Sequence, residues 1–552
     1  MPSNAKKSFF SGVLTLSLST VLVKIIGLIY KIPMLSYLGS EGMGYFNSAY
    51  EIYALFCVIS TAGLPVALSV MISGALAKGD GEEVRRVYRT AFSVFLWIGI
   101  LGTAVMLLFA RRFCLLMKSE QAYSCILSIS PTVFFVCIAS ALRGYFQGFQ
   151  RMLPTALSQI LESVGKLVFG LLFARAALIR GCDTPTVAAF AGIGLTLGTA
   201  VSVLYLMIEK IRFRKVETGL FLSKAEKMPE KYREIRKTLA RLAIPMTLGA
   251  SLVSVTKLID MTMILRRLQS IGFSDVAANE AYGSYTTLAL SLFGLLPSLV
   301  NAVALPLVPL LSAAIAAGKK REQEQIVKTS YRLTAMLAIP AALGISAYAR
   351  PILLLLFGKE PEAVATAAPL LSCLGISIFL SCMITATNSV LHAYRVVNRP
   401  ILSMLVGALL KTATAYFLIG NAKIAMLGAP ISSFFCNAAV VVLNLWFSAR
   451  LCRVTDLRSV FGKPLLSSTL SIGASYLAYL LLTEKLGERV TVTLASLAFA
   501  GVLYLFLSCL FGIFHREDIL ALPMGEHICR ILQKCRLLPS EKRMKDDLKT
   551  HQ

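Results

Sequence analysis

Apolar windows of about 20 residues, the length a helix needs to cross a hydrocarbon core of about 30 Å, recur from the N-terminus to about residue 514. No other feature of the sequence constrains the fold as strongly. With no water in the bilayer core, each backbone amide and carbonyl must be satisfied within a helix or a closed barrel. The alternating segments of about ten residues that mark barrel strands are absent, so the expected fold is an all-α polytopic membrane protein with about fourteen transmembrane helices. Composition agrees: 56% of residues are hydrophobic and 15% charged, against about 25% charged in soluble domains, and the mean hydropathy is +0.72.

The windows fall into two sets of six. An N-terminal lobe over 1–208 has spans near 9–37, 45–77, 87–110, 122–142, 154–174 and 185–208. A basic linker over 209–242 is polar enough for a cytoplasmic connection or an amphipathic surface helix. A C-terminal lobe over 243–450 has spans near 243–265, 281–316, 330–356, 363–391, 401–419 and 426–449. Two further helices lie within 451–514, and a basic tail covers 515–552. The lobes echo one another in sequence. ALAKGDGEEVRRVYRTAF (75–92) answers AIAAGKKREQEQIVKTSYRLTA (314–335), each with a glycine, a charged loop and a Tyr-Arg pair. LRGYFQGFQRMLPTALSQILESVGKL (142–167) answers LHAYRVVNRPILSMLVGALLK (391–411). Units of six helices repeat in the same orientation, which predicts a parallel repeat about an axis along the membrane normal.

The net charge of +26 is topological. Lys6, Lys7, Lys78, Arg85, Arg86, Arg89, the run from Lys210 to Arg241, Lys319, Lys320, Arg321 and the tail fall on one side, while LGSEGMG (38–44) and GNAKIA (420–425) on the other side are nearly free of basic residues. This is the positive-inside pattern with both termini cytoplasmic. The expected partners of these charges are anionic membrane lipids, and no nucleic acid. Most of the 12 cysteines lie in or against apolar spans with no CxxC pair, which suits packing and gives no metal or redox role. Lys6 and Lys7 precede an apolar segment too long for a cleavable signal, so the first helix is expected to remain attached.

Charges within the spans point to function. Ser17, Thr20, Lys24, Gly27 and Lys31 recur at steps of three and four, which places them on one helical face. A charge at mid-bilayer costs at least about 2.5 to 3.5 kcal/mol, so such residues face a bundle interior or a watered cavity. Five lysines (Lys24, Lys31, Lys166, Lys257, Lys411) and three acids (Glu51, Glu162, Asp260) lie inside the spans. The repeat matches Lys24 with Lys257 and Lys166 with Lys411. Such a set predicts an electropositive cavity suited to phosphate. A local reading stands beside it: Glu162 with Lys166 and Lys257 with Asp260 are spaced for helical ion pairs, Lys31 is placed to snorkel, and Glu51 to neutralise Lys24 or Lys31. Gly63-Leu64-Pro65, Pro297, Pro306 and Pro309 bend matching helices of the two lobes, as hinges or as ordinary kinks.

Phosphate loops, HExxH, GxSxG and Cys/His metal spacings are absent from the sequence. A transporter and no enzyme is expected, without cofactor, driven by an ion gradient, the membrane potential or a substrate gradient.

KIIGLIYKIPMLSYLGSEGMGYFNSAYEIY, STAGLPVALS and LRGYFQGFQRMLPTALSQILE resemble the bacterial SpoVB and YtgP group of polysaccharide-biosynthesis proteins. That group sits in the superfamily of MATE exporters, oligosaccharide-lipid flippases and MurJ-type lipid II flippases. The resemblance covers about residues 5–515. It implies a lipid-linked oligosaccharide substrate, most plausibly lipid II, turned across the bacterial cytoplasmic membrane by a monomeric transporter working with the cell-wall synthesis machinery. It also implies that Lys24 and Lys257 match cationic residues of MurJ-type proteins, whose further arginines in the second helix have no counterpart in LFCVISTAGLPVALS (55–69). By the same resemblance, Asp260 would be an acid of a Na+ or H+ coupling site, with Asn398 standing where a companion acid is expected. Alternatives are a cation-coupled MATE-type drug exporter, a membrane glycosyltransferase, and a non-transporting factor in envelope or spore assembly.

Overall fold

The computed structural model describes residues 3–220, 232–304, 307–396, 398–452 and 458–513. The centre of the linker (221–231), Pro306 and the basic tail from 514 onward lie outside the described residues. Among the described residues the chain is helical throughout, without strands. It forms a multi-pass membrane protein. Among the described residues eleven helices are long and apolar enough to cross a bilayer, or twelve if one bent pair counts as a single span. That is below the expected number of about fourteen, and the two readings part where helices are merged or broken.

The merger is at the N-terminus. Helix α1 (Ser3–Thr61) contains 59 residues, about 90 Å at 1.5 Å per residue, some three times the hydrocarbon thickness. It breaks at Gly39, whose φ of 64° and ψ of 178° lie outside the helical region, a conformation open to glycine and costly for other residues. The expected outer loop LGSEGMG is therefore helical apart from this one residue. A second break follows at Ala62 and Gly63, where α2 (Leu64–Ala77) starts with a proline in its first turn, as suits a residue with no amide to donate.

Contacts divide the chain into two compact units, one of 1–291 with 412–429, the other of 292–411 with 430–552. The first holds α1, α2, α3 (Gly81–Leu108), α4 (Ala110–Met117), α5 (Tyr123–Gly148), α6 (Met152–Ile179), α7 (Thr184–Leu220), α8 (Tyr232–Ser270) and α9 (Asp275–Ser284). Thus α8 and α9, which the sequence repeat assigns to the second lobe, pack with the first-lobe helices. Asp80 caps α3 by accepting from the Glu83 amide at 2.8 Å, with Glu82 and Glu83 in the first turn, where they complement the helix dipole. Two backbone approaches set the packing. A Cβ on Gly165 of α6 would meet Gly198 of α7, and this small-residue contact lets the two helices lie close without apolar driving force from lipid. A Cβ on Gly44 would overlap the Asn279 carbonyl, and one on Gly283 the Ser40 carbonyl, so the arm of α1 beyond Gly39 lies backbone to backbone on α9.

After α9 the helix widens into a π turn over Tyr285–Ala289. The chain then enters the second unit through short helices α10 (Leu290–Phe293), α11 (Leu295–Ala304) and α12 (Leu307–Ala316). The second unit continues with α13 (Lys320–Ala347), bent by 78° into α14 (Ala349–Phe357), then α15 (Pro361–Ala393), α16 (Asn398–Ile419) as far as Lys411, α17 (Gly428–Leu451) from Pro430, α18 (Lys463–Leu486) and α19 (Val490–Leu510). Its interior is tied by neutral bonds. Tyr348 pairs with Ser475 at 2.7 Å, Tyr331 with Ser448 at 2.8 Å, and Tyr504 donates to the Met336 carbonyl at 2.7 Å. Asn444 donates to Asn388 at 2.8 Å and to Thr387 at 3.2 Å.

Candidate functional site

The first unit gathers the intramembrane charges. Lys24, Lys31 and Glu51 lie on α1, Lys166 on α6 and Lys257 on α8. Lys24 and Lys257 are both exposed and near enough for their charges to repel. Lys31 is repelled by Lys166 and Lys257 and attracted by Glu51. Lys166 is attracted by Glu162 of its own helix, so four lysines share this region with Glu51 and Glu162, where fields are poorly screened.

Each half-buried lysine is held by a different device. The Lys166 ammonium lies 5.0 Å from the ring centre of Tyr30, 4.8 Å from Tyr50 and 5.7 Å from Phe46. Aromatic faces offset a desolvated cation by about 2 kcal/mol or more without removing its charge. Lys31 reaches the π turn, donating to the Thr286 carbonyl at 3.2 Å and the Ser291 hydroxyl at 2.8 Å. From the other arm of α1, buried Asn47 donates to the hydroxyls of Thr286 at 2.8 Å and Thr287 at 2.9 Å. A π turn displaces carbonyls from the regular ladder, and α1 supplies partners for this one from both of its arms.

Glu162 has an ion-pair partner that the sequence reading did not consider. Arg143 of α5 pairs with it at 2.7 Å, and donates to Ser158 at 2.9 Å and Ser202 at 3.2 Å. α5 continues to Gly148, six residues beyond the span expected over 122–142, and so carries Arg143 on the helix. Asn47, Ser291 and the π turn had no signal in the sequence, because their role depends on packing between distant segments. In the second unit Arg332 of α13 is buried at 8% exposure, another charge that an alignment with exposed Arg89 would not suggest.

The remaining residues singled out by sequence are placed as follows. Asp260 stands half-buried on α8, one turn beyond Lys257. Lys411, half-buried, and Asn398, exposed at the start of α16, belong to the second unit. The described structure thus brings together Lys24, Lys31, Lys166, Lys257 and Glu51, while Lys411 and Asn398 are components of the other unit. Among the described residues no group of three His, Cys, Asp or Glu side chains could hold a metal ion.

The family model described as polysaccharide biosynthesis protein matches residues 9–315, more than half of the chain. The chain belongs to this family. The MatE family model also matches residues 245–417, and the expected resemblance to that superfamily is thereby shown. Among curated relatives, Stage V sporulation protein B of Bacillus subtilis (strain 168) is 24% identical over 545 residues, covering 94% of this chain and 98% of its own. Lipid II flippase MurJ of the same organism is 24% identical over 412 residues, covering 72% of this chain and 75% of its own. Among solved structures, lipid II flippase MurJ in an inward closed conformation superposes with a TM-score of 0.68 at 15% identity, covering 90% of this chain and 98% of that one. A multidrug resistance MATE transporter in an inward-facing conformation gives 0.65 at 16%, covering 81% and 99%. The family and these structures share one fold.

Proposed function

We propose that the protein is a flippase that carries an undecaprenyl-pyrophosphate-linked saccharide across the bacterial cytoplasmic membrane by alternating access, with lipid II as its substrate and both termini in the cytoplasm. The observation that carries this reading is the meeting of Lys24 and Lys257, exposed and mutually repelling, from the first helix of each sequence lobe. Like charges gathered in low dielectric favour an anion between them, and a pyrophosphate supplies one while its prenyl chain stays in lipid. Lys166 adds to the field and Glu51 limits it. Asp260 on α8 would serve a Na+ or H+ site. The relatives named for lipid II flipping and sporulation support a lipid-linked substrate of the cell envelope.

A second reading, a cation-coupled exporter, is favoured by the MatE match over 245–417. The excess of intramembrane lysine opposes it, because cationic substrates would be repelled.

The test is depletion of the protein in cells lacking other flippases, followed by measurement of lipid II accessible at the outer leaflet. Accessibility should fall. Lys24→Arg should restore most of it and Lys24→Ala little, a loss of about tenfold or more where a charge-assisted contact is removed. Full rescue by Lys24→Ala would sink the role of the cluster, and unchanged accessibility on depletion would sink the substrate.

A further inference from the structure

Lys31 differs from its neighbours in the cluster. Its ammonium has three donors, and two of them are committed, one to the Thr286 carbonyl and one to the Ser291 hydroxyl. Ser291 in turn donates to the Thr287 carbonyl, so the lysine and the serine together brace the π turn at Tyr285–Ala289. Single π turns are strained insertions found frequently at functional sites. This one is supported by side chains from outside its own helix, and Lys31 is the charged member of that support. The same ammonium feels Lys166, Lys257 and Glu51. It therefore belongs to two structures at once, the cation cluster and the turn.

We infer that Lys31 is a positioning residue that ties the cation cluster to the π turn, and that an anion entering the cluster loosens the turn by competing for the Lys31 ammonium. The tie follows from the hydrogen bonds alone; the competition rests on the proposed anionic substrate. A phosphate oxygen makes a shorter and stronger bond to an ammonium than a peptide carbonyl does. Its arrival gives the two states of the turn different energies, which any ligand-driven change requires. Lys24 and Lys257 attract the anion in this scheme, and Lys31 reports its arrival to the helix that follows α9.

The experiment uses the full chain in lipid nanodiscs and follows amide hydrogen exchange of the segment 282–292, with and without inorganic pyrophosphate. In Lys31→Met the segment should exchange about tenfold faster than in the parent, as expected when a charge-assisted hydrogen bond is lost. Lys31→Arg should restore slow exchange. Ser291→Ala, which keeps the charge of the cluster, should give an intermediate rate and serves if Lys31→Met does not fold. Pyrophosphate should speed exchange in the parent and leave Lys31→Met unchanged, while Lys24→Met should weaken the pyrophosphate response without altering the basal rate. Parent-like exchange in folded Lys31→Met and Ser291→Ala would overturn the tie. Pyrophosphate that binds and leaves parent exchange unaltered would overturn the competition alone. Pyrophosphate that does not bind would overturn both the competition and the anionic substrate, with the tie still judged by basal exchange.

Discussion

The interiors of the two units are made polar in different ways. The first unit holds Lys31 on a π turn, Lys166 among three aromatic rings and Arg143 on Glu162. The second is tied by hydroxyls and amides, with Tyr331, Tyr348, Asn444 and Tyr504 as donors or partners, although charge does enter it at Arg332. A neutral interhelical bond in a membrane contributes only about 0.6 kcal/mol on average, and a misplaced charge costs several times more. Neutral bonds are thus sufficient to tie helices together. The charges of the first unit need another reason, and the proposed carriage of an anionic lipid-linked substrate would supply one.

This contrast is breakable. The largest effect is expected for Arg143→Met, which strands Glu162 in the interior. Loss of one partner of a fully buried pair costs about 3–5 kcal/mol; this pair is partly exposed, so a cost at or below the lower end is expected, and adding Glu162→Gln should recover most of it. Denaturant unfolding in detergent measures both. A small cost for Arg143→Met alone would mean that Glu162 is better solvated than its partners suggest. Tyr331→Phe in the second unit, which removes the bond to Ser448, should cost only about 0.6 kcal/mol. A cost as large as that of Arg143→Met would erase the difference between the units.

The smallest effect belongs to a charge at the edge of the first unit. Burial, then the charges of Glu120 and Glu41, push the Asp275 carboxyl above the usual carboxylate range, against a hydrogen bond from Asn279 that lowers it. A raised carboxyl favours the folded state while it is protonated, and this contribution is lost as pH rises through the folded value. Asp275→Asn, which keeps the oxygen that accepts from Gln269 and Asn279, should therefore raise the melting temperature slightly at about pH 8, with the gain fading toward about pH 4. A gain that grows on acidification would reverse the sign of this charge effect.

Much of this was legible in the sequence because bilayer thickness is a ruler that apolar windows obey. The stepping of Lys24, Gly27 and Lys31, together with the repeat that matched Lys24 to Lys257, located residues that the first unit brings together. Two kinds of feature were not legible. Gly39 turns α1 with a single residue, whereas LGSEGMG has the composition of a loop; helical hydrogen bonding on both sides overrides that composition. The partner of Glu162 was missed because i,i+4 spacing favours Lys166, while the helix packing of α5 on α6 and α7 delivers Arg143. Local spacing says which pairs are near, and tertiary packing decides which of them bond.

The contact between α1 and α9 has a further consequence. At Gly44 and Gly283 the facing surfaces are main chain, with carbonyls of Asn279 and Ser40 set where side chains would otherwise stand. Most helix contacts freeze side-chain rotamers when they form and must find the same arrangement again after each separation, at an entropic cost for each side chain. A seam between bare backbones has few rotamers to choose, so its second closure resembles its first. It is a joint suited to repeated use.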